Sequence, residues 1–274
     1  MCKNSKKSTT STLGINWTFC LIHITEQSKI TKNKQGELEM VNFLEFCEGC
    51  SGIDGGDATS KYWFVGMEWA DWGDEGIAKY YQNGEWKKLK KPEYTSIDIE
   101  EKDKNGEDIW KFEKKLNKLY QQIAKPKNGS KIFSSGSDSF KLNLFPLPFK
   151  GDDDERKKGT WNGNEPYREL TGFSSFKSYQ KGVIKARQKC FDNLLKLTDR
   201  PKTIFCFGIG YKNFFAEAFN VPEDWFTLVG RTSRNYRIFA VYNPSPLIKQ
   251  IIICPFPYFE YSDGDVEKII KCVI

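Results

Sequence analysis

The stretch Tyr62-Trp63-Phe64-Val65-Gly66-Met67-Glu68-Trp69-Ala70-Asp71 is an unbroken apolar run that stops at a glycine and opens into an acidic, tryptophan-rich loop. Four bulky apolar residues without polar alternation fit a strand buried on both faces, as in a parallel sheet covered by helices. Gly66 then breaks the strand, and the loop is predicted to run to Gly76. The chemistry is expected at this strand end.

Around this strand the chain alternates between helical and extended patterns. A short amphipathic helix is predicted over 37–50, with Met40, Phe43, Leu44 and Phe46 on one face, and residues 77–110 read as a charged surface excursion. Ile109, Phe112, Leu116, Leu119 and Ile123 recur at helical steps, and Phe140 to Pro146 reads as a second strand ending in a loop. A longer helix is predicted over 175–197, followed by a buried strand over 203–207 and a helix over 211–219. Strands at 237–242 and 250–254 and a last helix at 265–273 complete the pattern. Strands separated by helices imply right-handed crossovers and an α/β fold with a mainly parallel central sheet covered on both faces. Ligands then bind outside the carboxyl ends of the strands, which points to Gly66 to Gly76, Asn143 to Pro148, Gly208 to Lys212 and Pro255 to Ser262.

Composition narrows the classes. With 274 residues, 39% hydrophobic and 15% aromatic, the chain can bury one substantial core. Residues 1–40, rich in Ser, Thr, Lys and Asn, are expected to form a flexible or accessory extension, and 41–274 the α/β domain. A net charge of +6 suits a polyanionic partner or an ordinary lysine-rich protein. No apolar stretch is long enough for a membrane span and no secretory signal opens the chain, so a cytoplasmic protein is expected. The eight cysteines are spread widely; Cys47-Glu-Gly-Cys50 has metal-ligand spacing but no second pair follows it, so no metal or cofactor is expected. The one histidine, His23, precedes the domain, which removes mechanisms that need a core imidazole.

Three positions carry candidate chemistry. Glu68 follows a buried strand by two residues, where a carboxylate can steer water or face a developing cation; a solvated loop acid is the competing reading. Trp69 and Trp72 supply flat apolar walls beside it, and Gly66 permits close approach. Asn143 offers both a donor and an acceptor at a strand end, as reading a nucleobase edge requires, or it caps the turn before Phe145-Pro146. Gly208-Ile209-Gly210 reads first as a tight turn into a helix, although that helix start, with Gly210 and Lys212, could hold a phosphate.

In this order and at these intervals, the segments resemble the uracil-DNA glycosylase superfamily over about residues 41 to 274. Gly66-Met67-Glu68-Trp69-Ala70 is similar to its first motif, written GQDPY in one branch and GMNPG in the single-strand-selective branch. Lys141-Leu142-Asn143-Leu144-Phe145-Pro146-Leu147 is similar to the middle motif of the latter, in which an Asn recognises the base. Ile252-Ile253-Cys254-Pro255-Phe256-Pro257-Tyr258 stands in the place of the second motif, normally a strand entering His-Pro-Ser. Asn243-Pro244-Ser245-Pro246 spells that motif more closely but is set aside, because the strand and helix after it fit the end of the family fold.

The resemblance implies a three-layer α/β/α sandwich and a monomeric, monofunctional enzyme that excises a flipped base from DNA by hydrolysis. Glu68 then takes the place of the water-directing carboxylate. Gly66, Met67, Trp69, Ala70, Asp71, Asn143, Phe145, Phe256, Pro257 and Tyr258 form the substrate pocket, and Gly210 and Lys212 contact DNA. Phe256 replaces the family His, leaving Tyr258 as the nearest polar substitute. Ala70 stands where the GQDPY branch has a Tyr that blocks C5 of the pyrimidine, so a C5-modified base, such as hydroxymethylated or glucosylated cytosine in phage DNA, is the expected substrate. A uracil-excising repair enzyme and a catalytically silent nucleic-acid-binding module are the alternatives. The iron-sulfur branch lacks support: no cysteine lies between Cys50 and Cys190 to complete a cluster.

Overall fold

The computed structural model describes residues 43–48, 53–67, 111–126, 129–134, 136–147, 171–256 and 261–273. The expected 1–40 extension lies outside them, as do Glu68, Trp69, Ala70, Asp71, Pro257 and Tyr258.

A seven-stranded mixed sheet organises the described residues, in the order β1-β3-β2-β4-β7-β6-β5. Third in that order is β2 (Tyr62–Gly66), buried along its whole length. β2 pairs in parallel with β3 (Ser139–Asn143) on one side and with β4 (Lys202–Phe207) on the other, and β4 pairs in parallel with β7 (Ile248–Cys254). The margins are antiparallel: β1 (Ile53–Gly56) on β3, β6 (Arg237–Ser245) on β7, and β5 (Thr227–Arg231) on β6. The sheet is therefore less parallel than the pattern suggested. A short turn joins β6 to β7, so they form a hairpin, whereas parallel neighbours need a long crossover.

Side-chain alternation along β2 divides the core. Trp63 and Val65 face one layer with Phe140, Leu142, Ile204, Cys206, Ile251 and Ile253, closed by helices α1 (Phe43–Glu48), α3 (Phe176–Leu195) and α4 (Lys212–Ala218). Phe64, between them, faces the opposite layer with Phe205, Phe207, Ile252 and Cys254, closed by α2 (Lys111–Ala124) and α5 (Asp263–Lys271). In that layer Phe64 stacks on Phe205 with ring centroids 5.4 Å apart. Such continuous two-sided burial explains why polar residues are absent from the middle of β2.

Helix α3 starts where the sequence predicts. Ser175 is its N-cap and completes a capping box with Ser178. Gly182 in this helix leaves room for the ring of Phe173, which a β-carbon would strike. Among the described residues no helix is long and apolar enough to cross a membrane.

Chain order across the parallel strands sets the functional edge. From β2 the chain moves outward to β3, then returns past β2 to β4. Connections leave β2 and β4 in opposite senses, and the crevice this creates lies beyond their carboxyl ends, at Gly66 and Phe207.

Candidate functional site

At that edge Gly66 and Asn143 are register partners on adjacent strands. The pairing continues into the loops: Leu144 N–H donates to Gly66 O (2.9 Å) and Phe145 N–H to Met67 O (2.7 Å). The two loops thus leave the sheet as one unit. Asn143 alternates with Phe140 and Leu142, so its side chain lies on the α2 and α5 face, over the bare Cα of Gly66. The amide is 3% exposed, and its Nδ2 has no hydrogen-bond partner among the described residues. An enclosed donor left unmet costs about 1–3 kcal/mol, which an arriving acceptor would recover.

Behind Asn143 stands Arg187, in the middle of α3 and fully buried. Its Nη2 donates to the main-chain oxygen of Asn143 (2.7 Å) and its Nη1 to that of Cys47 at the end of α1 (3.2 Å). The guanidinium also lies 5.0 Å from the ring centroid of Phe191, one helical turn on. Arg187 therefore ties the strand end to two helices. Sequence reading missed it, because an arginine within a helix usually marks the solvated face. The available signal was its place three residues before Cys190 and four after Val183, inside the apolar stripe.

Just past the end of the neighbouring strand β4, Gly208 has φ +127°, a conformation that side-chain-bearing residues rarely adopt. A β-carbon there would also lie 2.7 Å from the Sδ of Met67. The ends of β2 and β4 thus touch through Met67 and Gly208. Gly210 is exposed with nothing packed above it. Lys212 is engaged elsewhere: its Nζ pairs with Glu223 Oε1 at 2.8 Å and lies over the ring of Phe239. Phosphate binding by Lys212 requires release from Glu223.

Phe145, expected against substrate, is fully enclosed between Tyr179, Tyr211 and Phe214, so it supports the edge from within the core. Phe256 is half-buried and packs on the α5 face, the same face as the Asn143 amide. Nearby, the Tyr261 hydroxyl donates to Pro255 O and closes the loop after β7 at its base. Burial pushes that phenol well above its ordinary range, with the neighbouring Cys254 and Asp265 adding to the effect, so it stays a donor.

Cys47, half of the candidate metal pair, is completely enclosed, and burial pushes its thiol up despite the nearby Arg187. It is a neutral thiol, a poor metal ligand. Asn243-Pro244-Ser245 belongs to the end of β6, at the opposite edge of the sheet. A shallow groove lined by Gln121, Lys125, Glu267 and Lys271 lies at that far edge too. Neither meets the Asn143 edge.

No protein-family model, curated protein or solved structure matches the chain. The functional reading therefore stands on the site itself.

Proposed function

We propose that the chain is a DNA glycosylase that hydrolyses the N-glycosidic bond of a flipped, C5-modified pyrimidine and leaves an abasic site. The observation that carries this reading is the Asn143 amide, enclosed, with a donor unmet among the described residues, at the crossover edge of the sheet. A donor and an acceptor on one rigid group suit the edge of a nucleobase taken out of its stack. Helices on both faces of the sheet are compatible with the three-layer sandwich that the motif resemblance implies.

In this mechanism the oxygen of water bonds to C1′ of the sugar as the bond to the base breaks; the base leaves with the electron pair, and the proton that water gives up neutralises the departed base. Charge builds positively on the sugar and negatively on the base. Glu68, two residues beyond Gly66, supplies the carboxylate for the sugar and water. Asn143 Nδ2 donates to the departing base, and removing one such donor costs about 100-fold or more in rate.

The alternative of a catalytically silent nucleic-acid-binding module draws on Phe256, an apolar residue where the family motif has the His that stabilises the leaving base. Mass spectrometry of bases released from DNA carrying uracil, thymine, 5-hydroxymethylcytosine or its glucosylated form separates the readings. Release of a C5-modified base, abolished by Glu68→Gln with DNA binding retained, supports the proposal. Release of uracil alone reassigns the substrate, and no release from any of them favours the silent module.

A further inference from the structure

The turn from β5 to β6 reads Arg231-Thr232-Ser233-Arg234-Asn235-Tyr236-Arg237, three arginines in seven residues. All three are exposed, and Arg231 and Arg237 are direct register partners across the hairpin. Like charges placed opposite each other destabilise a strand pair. Packing does not demand the arrangement, since both side chains stand in solvent.

The hairpin is nevertheless well built. Thr232 N–H donates to Tyr236 O (2.9 Å) and Asn235 N–H to Thr232 O (3.0 Å), while Asn235 takes φ 65° at the turn. Arg231 Nη1 donates to both the main-chain and the side-chain oxygen of Asn235, at 3.2 Å each. From below, Asp265 accepts from the N–H of Ser233 (2.5 Å) and from its hydroxyl (2.8 Å). The acids of α5 closest to it are committed: Asp265 is buried under the turn and Asp263 pairs with Lys118. Neither Arg231 nor Arg237 takes part in the ion pairs of the described residues.

Topology places this turn at the same end of the sheet as the candidate site, with β7, β4 and β2 between it and the strand that carries Asn143. β6 runs antiparallel to β7 with Phe239 opposite Ile253, so Arg237 lies past the carboxyl end of β7. The arginines therefore project from the same sheet edge as Gly66, Asn143 and Gly208. Tyr236, 36% exposed, adds an aromatic surface among them.

We infer that the Arg231–Arg237 turn is a phosphate-backbone contact that seats a nucleic-acid strand across the edge holding Asn143. The choice of nucleic acid as partner rests on the functional reading above; the charge placement does not. Bound phosphates relieve the Arg231 and Arg237 repulsion and release counterions, so binding should be strongly salt-dependent.

The test is anisotropy titration of labelled duplex and single-stranded DNA over a salt series, with the full chain carrying Glu68→Gln. Replacing Arg231, Arg234 and Arg237 together by Gln should lower the slope of log affinity against log salt by about 1 per arginine and weaken duplex binding on the order of 100-fold near 0.1 M salt. Replacing all three by Lys should keep most of the slope. Lys125, Lys131 and Lys196, exposed at the opposite edge, provide an equal-charge control. An unchanged slope in the arginine variant, or an equal fall in the lysine control, overturns the inference. Binding to phosphatidylserine vesicles that needs the arginines, with DNA binding that does not, overturns it as well.

Base release is measured in parallel on the chain with Glu68 intact. A slope that depends on the arginines, without release of any base, keeps the hairpin contact and removes the glycosylase reading. Base release with an unchanged slope does the reverse.

Discussion

The side-chain oxygen of Asn143 occupies the space that a β-carbon on Gly66 would need. Glycine at position 66 is therefore a condition for the amide's placement as well as a strand terminator. Gly66→Ala should turn the Asn143 side chain out of position. Because the displaced atom is the end of a side chain, the fold should lose only about 1 kcal/mol or so. Base release should fall about 100-fold or more, as for a lost donor. Near-normal denaturant midpoint with lost activity is the expected pair of results, and full activity in the alanine variant would remove Asn143 from the site.

Arg187 holds the same residue from behind. Arg187→Met roughly preserves volume but leaves the carbonyls of Asn143 and Cys47 without their charged donor. Hydrogen bonds to charged groups are worth about 1.5–3 kcal/mol each, partly offset by no longer burying a cation, so a loss of about 2–4 kcal/mol in urea unfolding is expected. Arg187→Lys cannot span both carbonyls with one ammonium and should recover only part of the loss. Lys as stable as wild type would show that the two-pronged contact is unimportant.

The parts legible in the sequence are those where burial alone dictates the residues. β2 is apolar along its length, and β4 and β7 become so over Ile204–Phe207 and Ile251–Cys254, because both faces are covered there, and Ser175 marks the start of α3 by its capping chemistry. β1 was hidden: Ile53-Asp54-Gly55-Gly56 has no apolar run, and Gly56 at φ 74° passes where a side chain would strike the carbonyl of Ser139. β5 is mostly exposed at the sheet margin, so it carries little hydrophobic signal. β6 runs on through Asn243 and Pro244 to Ser245, where Asn243 at φ 50° and a register shift accommodate residues that read as a turn. Gly66 and Asn143 were legible as strand ends. Arg187 and the Arg231–Arg237 pairing were not, because each depends on contacts between segments far apart in sequence or on a register that only the folded sheet sets.

Asp265 links α5 to the arginine turn through Ser233, while also capping its own helix through Ser262. Burial raises its carboxyl pKa, but the hydrogen bonds from Ser233 and Ser262 outweigh it and hold the group below its ordinary 3.8. A carboxylate depressed in the folded state stabilises the protein above its unfolded pKa and loses that contribution as pH falls through the folded value. Asp265→Asn should therefore lower the melting temperature at pH 7, and the gap from wild type should narrow as pH drops below about 4. A gap independent of pH would show that the charge of Asp265 contributes nothing beyond its shape.

Lys202 opens β4 at the far edge, fully enclosed, with its Nζ donating to Thr59 O (2.8 Å) and lying 6.0 Å from the ring centroid of Trp63. Burial, and after it the nearby Arg200, lower its pKa, Asp138 and Asp57 oppose both, and the net value is about 8. Between about 8 and the ordinary 10.5 the unfolded chain holds a proton that the folded chain has released, so stability should rise with pH across that window. Lys202→Met replaces a buried cation with an apolar chain of similar length and removes the dependence. Urea midpoints measured at pH 7, 8.5 and 10 should show wild type gaining on the methionine variant as pH increases. Salt-dependent DNA affinity should be the same in both, because Lys202 lies at the edge away from Asn143 and the arginine turn. Parallel pH profiles would mean that Lys202 stays protonated in the fold, with Thr59 O and the two aspartates compensating its burial.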